Sequence, residues 1–473
     1  MRISNLAAAT IRRGKIFGCM QRIQLSDHFT YGRLFRFVLP SIVTMVFVSV
    51  YGIVDGFFVS NYAGELAFAG LNLIYPVIMI LVAVGFMFGA GGTAVVSRFL
   101  GQGNKDRANS VFSMLVYLTI LVGVAFAVLG LVFIKPLATW LAAEETQMSA
   151  AEKAELIGHS TLYGSVLLCA MPAFMLQNLF QTFFITAEKP KLGLAFTLAA
   201  GCCNMVLDAL FVAVFSWGLA GAAVATALSQ CVGGLLPLLY FARKNDSLLQ
   251  LGKARFDGRA LLGICANGSS EFLVNVSLSL VTMLYNGQLM KYVGIGGVTA
   301  YGIVMYVSFI FISIFLGYAM GVAPVVGYNY GANTKDELRN VLKKSLIFLS
   351  FLGVGLTTVL FVFARPLSAV FVGYDEELLA LTAHGAKIYA FSFLFCGLNI
   401  FASSFFTALS NGLVSAIISV LRTLVFQVAA VFTLPLLTAV PVDGIWLAVV
   451  VAECASLLVS AVFLIVNKKK YGY

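Results

Sequence analysis

Residues 39–60 have the sequence LPSIVTMVFVSVYGIVDGFFVS, an apolar run that contains a single charged side chain, Asp55. A helix of about 20 apolar residues is long enough to cross the hydrocarbon core of a bilayer. A second carboxylate, Asp208, lies in the apolar run 199–215. A charge at the centre of a bilayer is costly unless it is paired, hydrated or protonated. Both residues are therefore candidates for a site that binds a cation or carries a proton.

The composition of the chain is that of an integral membrane protein. Of its 473 residues, 60% are hydrophobic and only 11% are charged, and the mean hydropathy is +0.97. Soluble domains carry about 25% charged residues. The apolar runs do not alternate as the strands of a transmembrane β-barrel do, so an all-α fold of twelve transmembrane helices is predicted. The twelve predicted spans cover residues 34–59, 67–97, 110–134, 157–186, 191–216, 218–241, 260–290, 298–328, 341–363, 379–408, 412–439 and 444–467.

The basic residues predict the orientation of these spans. With twelve spans both termini lie on one side of the membrane, and that side holds 24 of the 30 lysine and arginine residues. The opposite loops hold five, and Arg422 lies inside a span. Because basic loops stay in the cytoplasm, we expect both termini there. The net charge of +10 is thus explained by topology, and we expect no nucleic-acid partner.

The chain repeats itself after six spans. A shift of 230 residues places GGTAVVSRFLGQGNKD (91–106) on GVAPVVGYNYGANTKD (321–336), with six of sixteen positions identical. Six spans per repeat is an even number, so the two halves enter the membrane in the same direction and form parallel lobes, an arrangement that suits alternating access. The predicted division is a cytoplasmic segment 1–30, an N-lobe 31–241, a cytoplasmic linker 242–259, a C-lobe 260–467 and a cytoplasmic tail 468–473.

Four polar residues of the first half are predicted to share one level of the membrane. Counted from the basic ends of their spans at 1.5 Å per residue, Asp55 and Asp208 lie about 28 and about 25 Å up, and Thr226 lies about 12 Å below the other face. In a bilayer of about 40 Å these depths agree. Asn204 is one helical turn before Asp208 and shares its face. The repeat places Tyr285 where the first half has Asp55, so folding alone did not require the carboxylate.

These four side chains supply the chemistry of ion exchange. Two close carboxylates in a low dielectric resist ionising together, so such a pair can hold a proton or exchange it for a cation. The Asn and Thr oxygens suit Na⁺ as well as a hydrogen-bond relay. The alternative is that helix-end backbone groups near the membrane surface satisfy each aspartate.

The second half has buried charges of its own. Glu271, Arg422 and Glu453 all lie within predicted spans. Residue counts place Glu271 and Arg422 at heights of about 18 and about 15 Å, which predicts that they form a salt bridge, with either a structural or a functional role. Glu453 has no predicted partner.

At these residues the chain resembles the multidrug and toxic-compound extrusion (MATE) family, and in particular its bacterial MepA-like branch. The resemblance covers about residues 27–467. It rests on the segments LPSIVTMVFVSVYGIVDGFFVS (39–60), FGAGGTAVVSRFLGQGNKDRA (88–108), EKPKLGLAFTLAAGCCNMVLDALFV (188–212), GLAGAAVATALSQ (218–230) and GYAMGVAPVVGYNYGANTKDEL (317–338).

The resemblance implies a two-lobe antiporter that exports cationic, amphipathic compounds in exchange for H⁺ or Na⁺. The family's cation site matches Asp55, Asn204, Asp208 and Thr226. The asparagine that the family has on its fourth helix falls near Gln181 or Thr182, where this chain departs from the pattern. Some members pair a helix-7 glutamate, which Glu271 resembles, with a helix-10 aspartate, but residues 379–408 contain no carboxylate. The resemblance therefore predicts no second-lobe Na⁺ site of that form.

The remaining expectations follow from what the sequence lacks. It has no zinc-protease, nucleotide-binding or serine-hydrolase motif, so we expect no enzyme activity, no metal centre and no cofactor besides the coupling ion. The expected partners are a small amphipathic cation and membrane lipid, and a monomer is expected. A lipid-linked oligosaccharide flippase of the wider superfamily is the alternative function. A membrane enzyme or receptor would need a catalytic constellation or a folded extramembrane domain, and the longest non-spanning stretches are too short for one.

Overall fold

The computed structural model describes residues 23–143, 148–373 and 375–473, and in these ranges the regular structure is helical throughout. The predicted N-terminal segment therefore lies outside the described residues up to position 22. The helices are α1 (Tyr31–Tyr62), α2 (Glu65–Gly101), α3 (Lys105–Ala143), α4 (Ala150–Cys169), α5 (Met171–Thr186), α6 (Pro190–Asp208), α7 (Gly218–Ala242), α8 (Gly258–Tyr292), α9 (Ile295–Gly331), α10 (Lys335–Val372), α11 (Glu376–Ala390), α12 (Phe393–Ala408), α13 (Gly412–Val420), α14 (Phe426–Leu437) and α15 (Pro441–Tyr471).

The prediction of an all-α fold with twelve spans is confirmed. Ten helical segments are each long and apolar enough to cross a membrane, and α4 with α5 and α11 with α12 form two further spans that are bent by 58° and 51°. Pro172 lies in the first turn of α5, just past the first bend. A proline is tolerated there because the backbone N–H of a first-turn residue has no partner within the helix.

Side chains fix the starts of several helices. Thr30 caps α1 by accepting a hydrogen bond from the backbone of Arg33. Ser149 and Glu152 form a reciprocal capping box at α4. Asp257 caps α8 through the backbone N–H of Ala260 at 3.0 Å. Each bond satisfies an N–H that the helix leaves free at its first turn.

The internal repeat is visible in the backbone. Left-handed residues recur at equivalent turns, with Gly64 matched by Gly294 and Glu188 by Ser410. The fifth and eleventh spans both contain a π-helical segment, Ala209–Val214 after α6 and Leu421–Val425 between α13 and α14. Such wide turns often mark functional sites. The two halves therefore share their irregularities as well as their helices.

The halves approach each other closely at one end of the bundle, which we call the basic end. It carries the loops 102–104, 187–189, 243–257 and 332–334. There the last residue of α2, Gly101, lies so close to α9 that an added Cβ would be 2.0 Å from the backbone oxygen of Tyr328. Gly331 meets the backbone oxygen of Arg98 in the same way, at 2.1 Å. Only glycine allows two backbones to cross at this distance.

Further from that end, α1 packs on α9 and α2 packs on α8. Gly317 lies over Ile42, where a Cβ would be 2.5 Å from the Cα atom, and Gly268 lies over Met87, where it would be 2.0 Å from the backbone oxygen. These contacts also fall in the half of each helix that is nearer the basic end. Together with the crossing of α2 and α9, they join the two halves.

Candidate functional site

The structure brings Asp55, Asn204, Asp208 and Thr226 together in the first half. The Thr226 hydroxyl donates a long hydrogen bond of 3.4 Å to Asp55 Oδ1, and Asn204 Nδ2 donates one of 3.5 Å to Thr226 Oγ1. The Asp208 carboxyl group faces that of Asp55. Three helices, α1, α6 and α7, thus contribute to one group of oxygen atoms, which we call the carboxylate site.

The four side chains of the carboxylate site differ in how far they are buried. Asp208 is 0% exposed and Asn204 is 1% exposed, whereas Asp55 and Thr226 are half-buried. Both carboxyl oxygens of Asp208 are buried and accept no hydrogen bond from any residue that the structure describes. A buried acceptor without a donor is costly. Two facing carboxylates cannot satisfy one another, because neither has a hydrogen to donate, and a shared proton or a bound cation would supply what is missing.

The alternative in which each aspartate is satisfied by helix-end backbone does not fit this geometry. Asp208 ends α6 as a regular helical residue, and the chain continues directly into the π segment Ala209–Val214. Its carboxylate has no backbone N–H within hydrogen-bonding distance among the described residues. The wide turn that follows it is where the fifth span changes its pitch.

Sequence reasoning missed several polar side chains that adjoin the site. Tyr51 lies one turn before Asp55 on α1 and interacts with Gln177 of α5. Tyr163 of α4 is 1% exposed and lies against Thr226. Tyr51 could have been predicted, because it lies four residues before Asp55 and residues i and i+4 share a helix face. No comparable pattern in the sequence points to the two residues from the fourth span.

Gln181 lies apart from the carboxylate site. It lines a small cavity together with Gln177, Thr197 and Pro237, and Thr197 lies about two helical turns nearer the basic end than Asn204. None of the four carboxylate-site residues lines that cavity. Thr182, the other candidate at this position, donates its hydroxyl hydrogen to the backbone oxygen of Leu179 at 2.8 Å.

In the second half, the predicted salt bridge between Glu271 and Arg422 is wrong. Arg422 Nη1 lies 3.4 Å from Glu453 Oε1, and no ion pair joins it to Glu271 within the described ranges. Residue counting gave the height of each side chain but not its direction around the helix. Arg422 lies in the π segment Leu421–Val425, where the wider turn changes the direction in which successive side chains point.

Glu453 is further held by Asn399 of α12. Asn399 Nδ2 donates to Glu453 Oε2 at 2.8 Å and to the Glu453 backbone oxygen at 2.9 Å, and its own Oδ1 accepts from Ser460. The arginine and the glutamate are 13% and 7% exposed, so the pair is buried and hydrogen-bonded. The hydrogen bonds to both oxygens of Glu453 help to offset the cost of burying its charge.

Glu271 lies against the first half and within electrostatic range of Arg422, although the two side chains form no ion pair. Ile264 and Gly268, seven and three residues earlier on α8, contact Gly91 and Met87 of α2. Residues at these intervals share one helix face, so Glu271 lies on the side of α8 that is turned to the first half. Its backbone oxygen accepts from Asn275.

The groups present suit a hard monovalent cation or a proton. The carboxylate site offers carboxylate, hydroxyl and amide oxygens, the ligand types that such cations prefer. Among the described residues there is no cluster of three or more His, Cys, Asp or Glu side chains that could hold a transition metal. The site therefore has the chemistry of ion binding.

Comparison with known proteins identifies the family of the chain. The MatE family model matches residues 40–210 and 271–433. The multidrug export protein MepA of Staphylococcus haemolyticus is 24% identical over 438 residues, which cover 92% of this chain and 94% of the relative. A Staphylococcus aureus MepA is 23% identical over 390 residues, covering 82% and 84%.

The fold is also that of solved transporters. A multidrug resistance MATE family transporter of the MOP superfamily, solved in an outward-facing conformation, superposes with a TM-score of 0.88 at 20% identity, covering 96% of this chain and 99% of that one. At that identity the likeness concerns the fold alone. Because the family model spans well over half of the sequence, the chain belongs to the MATE family of multi-pass membrane transporters, as a MepA-like member.

Proposed function

We propose that this transporter exports amphipathic organic cations across the bacterial cytoplasmic membrane in exchange for H⁺ or Na⁺, and that the ion is exchanged at Asp55, Asn204, Asp208 and Thr226. Its membership of the family and the names of its MepA relatives support a multidrug efflux transporter. The antiport mechanism and the ion site are our own inferences from the residues.

The observation that carries the proposal is the environment of Asp208. Its carboxylate is fully buried beside that of Asp55 and has no donor among the described residues. In a stable protein such a group is expected to bind something that neutralises it. A proton and Na⁺ both meet this need, and the hydroxyl of Thr226 and the amide of Asn204 complete a set of oxygens for either.

Helix α1 is the element that can connect ion binding to substrate release. It carries Asp55, and it packs on α6 through Phe47, which touches Gly201. On another face Ile42 packs on Gly317 of the second half. Neutralising the carboxylate pair removes a repulsion between α1 and α6, so ion binding favours one packing of α1 over another. A ligand shifts such an equilibrium only by its difference in affinity for the two states.

The topology and the substrate belong to the same proposal. We place residues 31–241 and 260–467 in two lobes, with the basic end in the cytoplasm because it carries most of the Lys and Arg residues. The substrate would bind between the lobes, where Glu271 supplies negative charge, and lipid would cover the outer faces of a monomer. An amphipathic cation fits an apolar cleft with a few convergent polar groups.

The test is efflux from membrane vesicles. A fluorescent organic cation is loaded into vesicles that contain the purified protein, and the pH gradient and the Na⁺ gradient are imposed separately. Asp208→Asn should abolish gradient-driven efflux while the protein inserts and purifies normally. Efflux that continues at the wild-type rate in this variant would remove Asp208 from the mechanism. Wild-type efflux that responds to neither gradient would overturn the antiport proposal.

A further inference from the structure

The eight residues 23–30 lead into α1 at the basic end, and we call them the strap. Two apolar side chains of the strap, Leu25 and Phe29, are 0% exposed. Phe29 packs edge to face on Phe37 of α1, with ring centroids 5.8 Å apart. A polar turn lies between the two anchors, in which the Asp27 backbone donates to the Gln24 oxygen at 3.1 Å. The strap is therefore a folded and tightly packed part of the protein.

The first anchor of the strap is on the first half. The backbone N–H of Leu25 donates a 2.7 Å hydrogen bond to Glu188 Oε1. Glu188 lies in the short turn between α5 and α6, where its φ of 59° is left-handed, and it is 9% exposed. A charge-assisted bond in a buried setting is stronger than a neutral one.

The second anchor is on the second half, at the start of α10. Glu337 takes two bonds from the strap, from the Phe29 backbone N–H to Oε1 at 2.9 Å and with His28 Nδ1 to Oε2 at 2.6 Å. The backbone oxygen of Phe29 accepts from Asn340 Nδ2 at 3.0 Å and from Lys344 Nζ at 2.6 Å. Four bonds thus join two consecutive strap residues to the first three turns of α10.

We propose that the strap is a latch that holds the two halves together at the basic end, with Glu337 as its catch, and that it releases α10 when the halves part there. This inference rests on the proposed alternating movement. The strap is continuous with α1 and bonded to Glu188, so it belongs to the first half, and its bonds to α10 span the boundary between the halves. The same boundary holds the Gly101 and Gly331 crossing of α2 and α9.

The start of α10 carries two adjacent carboxylates, Asp336 and Glu337, in a stretch that is otherwise rich in basic residues. Lys335, Arg339, Lys343 and Lys344 surround Glu337 along the helix. A carboxylate one turn from the start of a helix is stabilised by the helix dipole, and Asp336 would serve that purpose as well. Of these two residues it is Glu337 that accepts bonds from the strap, so the two adjacent carboxylates provide a matched pair for a test.

The first experiment measures how often the basic end opens. Ser97 of α2 is 0% exposed, and its hydroxyl lies 2.1 Å from the position of a Cβ on Gly327 of α9. A thiol introduced by Ser97→Cys is therefore covered while the halves are together. Its reaction with a maleimide, located by the mass of the labelled peptide, reports their separation without any gradient or substrate.

Glu337→Ala in this background should raise the labelling rate about tenfold, because it removes charge-assisted bonds that exist only in the closed state. Asp336→Ala removes the same charge from the same turn and should leave the rate within twofold. Glu337→Gln keeps an acceptor for the Phe29 N–H, so its labelling rate should lie between those of Glu337→Ala and Asp336→Ala. If Glu337→Ala elutes poorly from size exclusion, Lys344→Met removes another strap bond without disturbing the start of the helix. Equal labelling of the catch variants and Asp336→Ala would overturn the latch.

A tether gives the converse test. With the native cysteines replaced, a short bifunctional thiol reagent across His28→Cys and Glu337→Cys should stop efflux. The same reagent across Lys189→Cys and Asp246→Cys, which form a 2.5 Å ion pair within the first half, should leave efflux unchanged. Undiminished efflux with the strap tethered to α10 would refute release. Labelling does not depend on transport. If the antiport proposal failed, the labelling result would still test the latch, so the two failures can be told apart.

Discussion

Asp208→Asn should make the protein more stable while it abolishes transport. In the structure Asp208 is fully buried, faces Asp55 and has two carboxyl oxygens without donors among the described residues. An asparagine has nearly the same shape, removes one negative charge and presents an N–H₂ group that can donate to Asp55. The change therefore replaces a repulsion with a hydrogen bond, at the position where ion exchange is proposed to occur.

The magnitude follows from the groups involved. Removing an unsatisfied buried acceptor is worth about 1–3 kcal/mol, and a hydrogen bond to a charged group contributes about 1.5–3 kcal/mol. We take about 2 kcal/mol as the net gain, since the amide does not satisfy every lone pair. With an unfolding entropy of about 2.1 cal/mol/K per residue, a chain of 473 residues gains about 1 °C in melting temperature per kcal/mol. The expected rise is therefore about 2 °C at neutral pH.

The assay combines thermal unfolding in detergent with efflux from vesicles. The gain in melting temperature should shrink in acid, because a proton bound by the wild-type pair supplies the same donor. Asp106→Asn, an exposed carboxylate in the first turn of α3, is the control and should change neither quantity measurably. The double variant with Asp55→Asn should add little stability, since the two residues share one interaction. A clear loss of stability in Asp208→Asn would refute the reasoning, because it would mean that both carboxylates are already satisfied.

Three further outcomes follow from the structure. Arg422→Met should cost about 3–5 kcal/mol of unfolding free energy, because it leaves Glu453 buried without its cation, and adding Glu453→Gln should recover most of that loss in the same thermal assay. Gly101→Ala should slow efflux and lower the melting temperature, because the new Cβ would lie 2.0 Å from the backbone oxygen of Tyr328; normal efflux would mean that this crossing is not needed. Hydrogen bonds from the α8 N-terminus and from the Arg107 guanidinium hold the pKa of Asp257 below its ordinary value. The stabilising effect of Asp257 is therefore present above the unfolded pKa of about 4 and is lost as the pH falls through the folded pKa. Asp257→Ala should reduce the loss of stability in acid, and an unchanged acid dependence would contradict this.

The helices and the members of the carboxylate site could be predicted because apolar length and polar exceptions are both properties of the sequence. A polar side chain in a transmembrane run is rare enough to stand out, as Asp55 and Asp208 do. Their depths also follow from counting, since a helix rises 1.5 Å per residue. The grouping of these residues with Thr226 required in addition that the sixth span, which runs opposite to the first and fifth, lie beside them.

Direction around a helix axis was the information that the sequence lacked. The partner of Arg422 could not be predicted because it depends on the π segment Leu421–Val425, whose wide turn leaves no mark in the residue pattern. Gln181 was assigned by its place in a family pattern, and the structure puts it at a separate cavity nearer the basic end. The strap could not be predicted, because its contacts with Glu188 and Glu337 join residues more than 160 and 300 positions apart in the sequence.

The two halves share features of their backbone but differ in their buried charged side chains. We use this difference in charge to argue where ion exchange can occur. Both contain a π segment in equivalent spans and an asparagine at the equivalent place on the fourth and tenth spans, Asn178 and Asn399. In the second half Asn399 holds Glu453, which is already paired with Arg422. Arg422 already neutralises the charge of Glu453, so this carboxylate does not require a mobile cation. In the first half no described Lys or Arg pairs with Asp208, and its carboxyl oxygens accept no hydrogen bond from the residues that the structure describes, which is why we place the proposed exchange of a cation or proton there. The structural argument for coupling therefore rests on the first half, and exchanging Glu453 for glutamine together with Arg422 for methionine should preserve the ion dependence of efflux even where it slows the rate.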